Sequence, residues 1–324
     1  MPATSETGDP LLLTPGPLTT SKSVKAVMVH DWGSRDATFL RINREVGHRS
    51  FEMSALDNLG NLAAYRYSYN LAQKYQLESL QGAREIGDRV TESFTMINLG
   101  RAYLSVGDYE RARGYLQESL DLNRQLNNPQ GACHGLVDLS LYKVMIGEAQ
   151  DALAYSQEAL ALAEELDLRS ELAWAAHVRG EALYDLERYV EAAGSFRQAL
   201  GIRQDLGETK EAIESLAALG RTSLDLGDLE QAVECVEAVL AYIEEHGPEG
   251  FGRPVAIFLG CWQVLEAAQD PRAAQIMRRG CDVLQEVASK IEDEAARQSY
   301  LERVPENQAL VKACSRAGAS GHSP

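Results

Sequence analysis

ESFTMINLGRAYLSVGDYERARGYLQESLDLNRQLNNP, residues 92–129, decides the fold. Its apolar Met96, Leu99, Tyr103 and Val106 fall three or four apart, which predicts a helix over Glu92–Val106. Gly107 ends that helix, because glycine accepts the left-handed geometry of a helix stop. Asp108 then caps a second helix by accepting from its free backbone amides. That helix turns Ala112, Tyr115, Leu116, Ser119, Leu120 and Leu122 inward and stops near Asn127-Asn128-Pro129. Outward from this stretch the pattern recurs at a step of 40 residues. Leucines stand at Leu80, Leu120, Leu160, Leu200 and Leu240, and alanines at Ala72, Ala112, Ala152, Ala192 and Ala232. A third lane holds Gly60, Gly100, Gly180, Gly220 and Gly260, with Ser140 as its substitute. Self-similarity at a fixed step predicts a stacked array of helix pairs, whose function lies in an extended surface rather than a catalytic pocket.

The helix-stop turn returns as Gly147-Glu148 and Gly227-Asp228, is altered at Leu186-Glu187-Arg188, and is missing at Arg66-Tyr67-Ser68, where Ser68 is left as the cap. A glycine inside a helix costs about 1 kcal/mol relative to alanine. Five at one phase therefore read as points where another helix approaches closely. Helices of 16–18 residues fill the repeat, each about 25 Å long. The array begins in mid-repeat. LRINREVGHR, residues 40–49, lies 40 residues before LQGAREIGDR, residues 80–89, so a second helix is present without a recognisable first one, and Trp32 stands where a small residue is expected. This divides the chain into a disordered or capping segment 1–32, a solenoid 33–292 of one half-repeat plus about six pairs, closing helices 293–315 and a disordered tail 316–324. The half-repeat leaves Phe39, Leu40 and Ile42 as an apolar edge, to be covered by residues 1–32 or by self-association.

These lanes resemble the tetratricopeptide repeat: Leu99-Gly100, Tyr103, Ala112 and Ser119 follow its pattern, as do Leu219-Gly220, Ala232 and Val239, and Gly180, Ala192, Phe196 and Ala199. The resemblance implies an all-α, right-handed superhelical solenoid of antiparallel helix pairs. The 40-residue period is longer than the usual 34. It is similar to the C-terminal arms of bacterial signalling ATPases and maltose-regulator-like transcription activators, and DEAARQSYLERVPEN, residues 293–307, looks like the closing segment such arrays carry. Function in this family implies a protein or peptide held in the concave groove lined by first helices. Carried over to this sequence, one groove lane reads Asn61, Arg101, Leu141, Glu181, Arg221 and Cys261; a second reads Asp57, Ile97, Val137, His177, Ala217 and Ile257. Beside them lie Tyr65, His134, Trp174, Tyr184 and Asp225. Arg101 and Arg221 suit a carboxylate, and Trp174 or Tyr184 an apolar anchor.

The net charge is −17, and the first 50 residues carry six Lys/Arg against five Asp/Glu, so the acidity lies in the array. Such a surface repels phosphates and anionic membranes, and argues against nucleic acid and membrane as direct partners; it also keeps an elongated helical protein in solution. Cys133, Cys235, Cys261, Cys281 and Cys314 are odd in number and widely spaced, and read as reduced, mostly buried cysteines of a cytoplasmic protein. The sequence contains no phosphate loop, nucleophile elbow or metal-binding helix, so it reads as no enzyme, with no cofactor and no metal site. Two readings follow: a non-catalytic interaction scaffold binding a peptide or helix in its groove, or a ligand-sensing regulatory arm of a signalling ATPase or transcription regulator.

Overall fold

The computed structural model describes residues 49–320, which form fourteen helices and no strand. Six antiparallel pairs follow one another: α1 (Arg49–Tyr65) with α2 (Tyr69–Ile86), α3 (Arg89–Ser105) with α4 (Tyr109–Gln125), α5 (Pro129–Met145) with α6 (Ala149–Glu165), α7 (Arg169–Asp185) with α8 (Tyr189–Leu206), α9 (Thr209–Asp225) with α10 (Leu229–His246), and α11 (Pro254–Ala267) with α12 (Ala273–Ser289). Two more, α13 (Glu294–Arg303) and α14 (Pro305–Ser320), complete the chain. The segment 1–32 and the edge at Phe39, Leu40 and Ile42 lie outside the described residues.

The turns within pairs follow the chemistry expected of them. Gly107, Gly147 and Gly227 all take φ between +75° and +79°. Where glycine is absent the turn keeps its shape, with Glu187 at φ +58° and Tyr67 at +62°, a conformation that costs an L-residue roughly 1–2 kcal/mol. The Asp108 carboxylate accepts from the Arg111 amide at 3.2 Å. Ser68 is a correction: it precedes α2 but its side chain makes no capping bond. α3 also starts earlier than Glu92, because Asp88 caps it through the Thr91 amide at 3.0 Å.

The small-residue lanes are where the two helices of a pair meet. A Cβ added at Gly180 would stand 2.6 Å from the Phe196 ring, which is wholly buried. Ser140 fits the same lane differently, its hydroxyl donating to the Ala152 carbonyl at 2.7 Å. First helices also pack on the first helices of neighbouring pairs, α1 on α3 through to α9 on α11, so the array curves around them.

That curvature brings the ends together. The loop after α10 reaches α1 and α2, where the Tyr67 hydroxyl donates to the Pro248 carbonyl at 3.0 Å. The Glu292 amide donates to Asn70 Oδ1 at 3.1 Å, and the Tyr109 hydroxyl to the Arg303 carbonyl at 3.0 Å. α13 and the start of α14 thus lie over the concave face, burying Tyr300 and Val304, while the body of α14 packs on α11 and α12 with Leu310 buried. α14 continues to Ser320, through five residues that the sequence reads as tail.

The cysteine expectation is corrected in part. Cys281 of α12 and Cys314 of α14 form a disulfide, their Cα atoms 6.4 Å apart. Only the return of α14 onto α12 makes them neighbours, and sequence spacing carries no trace of that return. Cys133, Cys235 and Cys261 are buried and free. Burial pushes the Cys133 and Cys261 thiols up to about 12 and Cys235 to about 11, which keeps them protonated and inert.

Candidate functional site

Between the first helices and the closing segment a cavity of about 170 Å³ remains. Apolar wall comes from Leu104, Leu141, Met145, Val178 and Val255, with Tyr69 and Tyr300 beside them. Set into that wall are three guanidinium groups, Arg101, Arg203 and Arg253, and three carboxyls, Asp138, Glu214 and Glu306. Trp174 and His177 complete it.

The charges are tied together along the groove. Arg101 Nε donates to Asp138 Oδ1 at 2.8 Å while its guanidinium lies 5.3 Å from the centre of the Trp174 ring. Arg203 approaches the same ring at 6.0 Å and donates to the Ser215 hydroxyl at 2.7 Å and the Glu211 carbonyl at 2.5 Å. Arg253, from the loop before α11, reaches Glu306 of α14 at 2.7 Å and Glu181 of α7 at 3.4 Å. Arg221 stands 3.6 Å from Glu181 and stacks on Tyr184 at 3.9 Å, and the Tyr184 hydroxyl donates to Asp225 at 2.5 Å.

Burial works against the charge of Glu181, but Arg253 and Arg221 outweigh it and hold the carboxyl at about 2. His177 goes the other way. Burial, with Arg203 and other guanidinium groups nearby, lowers it to about 3, so its imidazole is neutral at ordinary pH. Its Nδ1 lies 3.0 Å from the Ser215 hydroxyl.

The structure gathers Arg101, Trp174, His177, Glu181, Tyr184, Arg221 and Asp225 into one connected run. His134 stands apart from it, 2.9 Å from Glu171, and Asn61 is exposed, accepting from Gln76 at 3.2 Å. Tyr65 is half-exposed under the Lys210 ammonium, 4.5 Å from its ring centre, and faces the loop after α10. Among the described residues no group of three or more His, Cys, Asp or Glu is placed to hold a metal.

Two family models match, both described as tetratricopeptide repeat, over residues 51–125 and 213–246. Tetratricopeptide repeats therefore occupy these two stretches of the chain. Solved structures agree on the fold of this repeat protein. A Rap protein complexed with competence and sporulation factor aligns with TM-score 0.58 at 15% identity, over 91% of this chain and 86% of that one. NprR in complex with its cognate peptide NprX aligns with TM-score 0.61 at 15% identity, over 91% and 85%. A signal transduction ATPase with a tetratricopeptide repeat sensor, from Pyrococcus horikoshii, aligns with TM-score 0.57 at 13% identity, over 82% of this chain but 42% of that one. Among curated proteins, 38 residues are 60% identical to a 2-aminoethylphosphonate–pyruvate transaminase of Burkholderia thailandensis, 12% of this chain and 10% of that one. The repeat protein therefore spans about a tenth of the length of the curated relatives it matches.

Sequence reasoning missed the residues that come from outside the first helices: Arg203 of α8, Arg253 of the loop before α11, and Tyr300 and Glu306 of the closing segment. Arg203 does leave a signal. It shares a 40-residue lane with Ala83, Asn123, Ala163 and Ile243, all buried, so it is a cation at a core position.

Proposed function

We propose that this repeat protein is a non-catalytic interaction module whose concave face holds a helical segment, supplied by its own closing helices or by a partner. One observation carries this reading: α13 and the start of α14 lie across the groove, with Tyr300 and Val304 as buried anchors and Glu306 paired to Arg253. A groove that accepts such a segment in cis has the shape and charge to accept one in trans. The peptide complexes of Rap and NprR support it by likeness of fold. The surface acidity argues against nucleic acid and anionic membranes as direct partners. No helix among the described residues is long and apolar enough to cross a membrane.

The test is capture of partners by the full chain, compared with an Arg101→Ala/Trp174→Ala/Arg221→Ala variant. Partners lost in the variant support the groove. Partners retained in full would place binding elsewhere and overturn it. A Tyr300→Ala/Val304→Ala variant, which loosens the cis segment, is expected to capture more.

A second reading, a ligand-sensing arm, is favoured by the cavity beneath the closing segment. A segment that packs entirely on the groove would leave no space, yet about 170 Å³ remains behind Tyr300 and Val304.

A further inference from the structure

The cavity left beneath the closing segment has more order in its polar groups than packing requires. Arg203 is 2% exposed, and among the described residues no carboxylate oxygen stands within 4.0 Å of its nitrogens. Its partners are a hydroxyl and a backbone carbonyl, both neutral. Burial accordingly lowers its pKa, with Glu214, Glu211 and Glu208 compensating only in part. The one of these acids that lines the cavity, Glu214, is itself engaged, accepting from the Gly252 amide at 2.6 Å. A buried cation without a counter-ion is costly unless something supplies one.

Three further polar atoms on lining residues are buried with no hydrogen-bond partner: Trp174 Nε1, Asp138 Oδ2 and Glu306 Oε2. The first is a donor and the other two are acceptors. Buried polar atoms are nearly always paired, and a cluster of exceptions around one cavity points to a missing occupant. The occupant must offer an acceptor to the indole and the unneutralised guanidinium, and a donor to the two carboxylates. It must also be neutral overall, because the six charged side chains of the wall balance, three of each sign. Its body must be apolar and compact. An apolar cavity of about 150 Å³ holds benzene, so a space of about 170 Å³ suits a body of that order.

From this we infer that the cavity binds a small apolar α-amino acid as its zwitterion. The carboxylate lies toward Arg203 and the Trp174 indole, the ammonium toward Asp138 and Glu306, and an aliphatic side chain lies against Leu104, Leu141 and Val255. The inference rests on the second reading above, that the array senses a ligand. It needs no protein partner and is tested without one.

The experiment is thermal unfolding and tryptophan-fluorescence titration of the full chain with leucine, isoleucine and valine. Two analogues of leucine each lack one pole: 4-methylpentanoate has no amine, and leucine methyl ester has no carboxylate. At least one amino acid is expected to raise the melting temperature and saturate. Both analogues are expected to bind at least about tenfold more weakly, since each leaves buried polar atoms of the wall without a partner. Arg203→Met is expected to weaken the amino acid at least about tenfold. Trp174→Phe, which keeps the ring and removes only the donor, guards against a general loss of folding. Equal binding of 4-methylpentanoate would overturn the role of Asp138 and Glu306, and equal binding of the ester that of Arg203. If none of the three amino acids shifts melting or fluorescence, the assignment fails. A stabilising ligand of another class would then leave the sensing reading standing, and no stabilising ligand in a broad metabolite panel would remove that as well.

Discussion

At the scale of single residues the interior of this array is set by exceptions to its own repeat. Four of the five residues in the lane of Ala83, Asn123, Ala163, Arg203 and Ile243 are small, amide or aliphatic; the fifth is a buried guanidinium. Once the repeats are aligned, that exception is readable from sequence. Asp138 is not, because the other members of its lane vary freely; Trp174, whose lane varies as freely, is reached only through the groove positions that the family resemblance implies. His177 gives a prediction with a definite sign. Its folded-state pKa near 3 lies below the ordinary 6.5, so between these values the unfolded chain holds the extra proton. Stability is therefore full above about pH 6.5 and falls as the pH drops toward 3. Glu181, held at about 2 against an ordinary 4.5, adds a loss of the same sign between those values. Asp57, raised by burial to about 6, opposes it by gaining stability as it takes up a proton. The His177 contribution is isolated by comparing urea unfolding of the wild type and His177→Gln from pH 7 to pH 4, where the variant is expected to show the shallower decline. By nuclear magnetic resonance the His177 ring is expected to show no titration between pH 8 and pH 5, and a midpoint near 6.5 would contradict its placement.

At the scale of helices, the sequence was informative because the same contact is made over and over. The lanes of Gly100 and Ala112 repeat since each pair must close to the same distance, and repetition is visible in one chain without any relative. A paired substitution tests this. Gly180→Ala drives a Cβ into the Phe196 ring at 2.6 Å and is expected to cost about 1–3 kcal/mol as overpacking, despite the helix propensity gained. Gly194→Ala lies in α8 with no atom within 4 Å of the new Cβ and is expected to stabilise by about 0.5–1 kcal/mol. Opposite signs in thermal denaturation are the expected outcome. The closing helices, by contrast, occur once. Nothing in DEAARQSYLERVPEN repeats, so its destination in the groove, and with it the places of Tyr300, Glu306 and Arg253, depends on curvature that no spacing encodes.

At the scale of the whole molecule, the Cys281–Cys314 disulfide fixes the last helix to the sixth pair. A cross-link closing a loop of this length stabilises by about 2–4 kcal/mol, chiefly by restricting the unfolded chain. Chemical denaturation with and without reductant is expected to differ by that amount, and the difference should vanish in Cys281→Ser/Cys314→Ser. An unchanged midpoint in the wild type would mean that the two cysteines are not joined. Hydrogen exchange offers a second reading at this scale. Glu292→Pro removes the amide that donates to Asn70, and faster exchange is expected in α2 as well as at the site of the change.

The bonds from Tyr67 to Pro248 and from Tyr109 to Arg303 carry a consequence for how such a chain can vary. A repeat protein whose ends are free tolerates duplication or loss of a unit, because each unit touches only its neighbours. Here the unit number is counted by the molecule itself. Six described pairs bring the closing segment back to the first two, and losing or adding a pair between them would part the bonds that Tyr67 and Tyr109 make. Copy number, ordinarily the freest variable in a repetitive gene, becomes as constrained as the circumference of a ring.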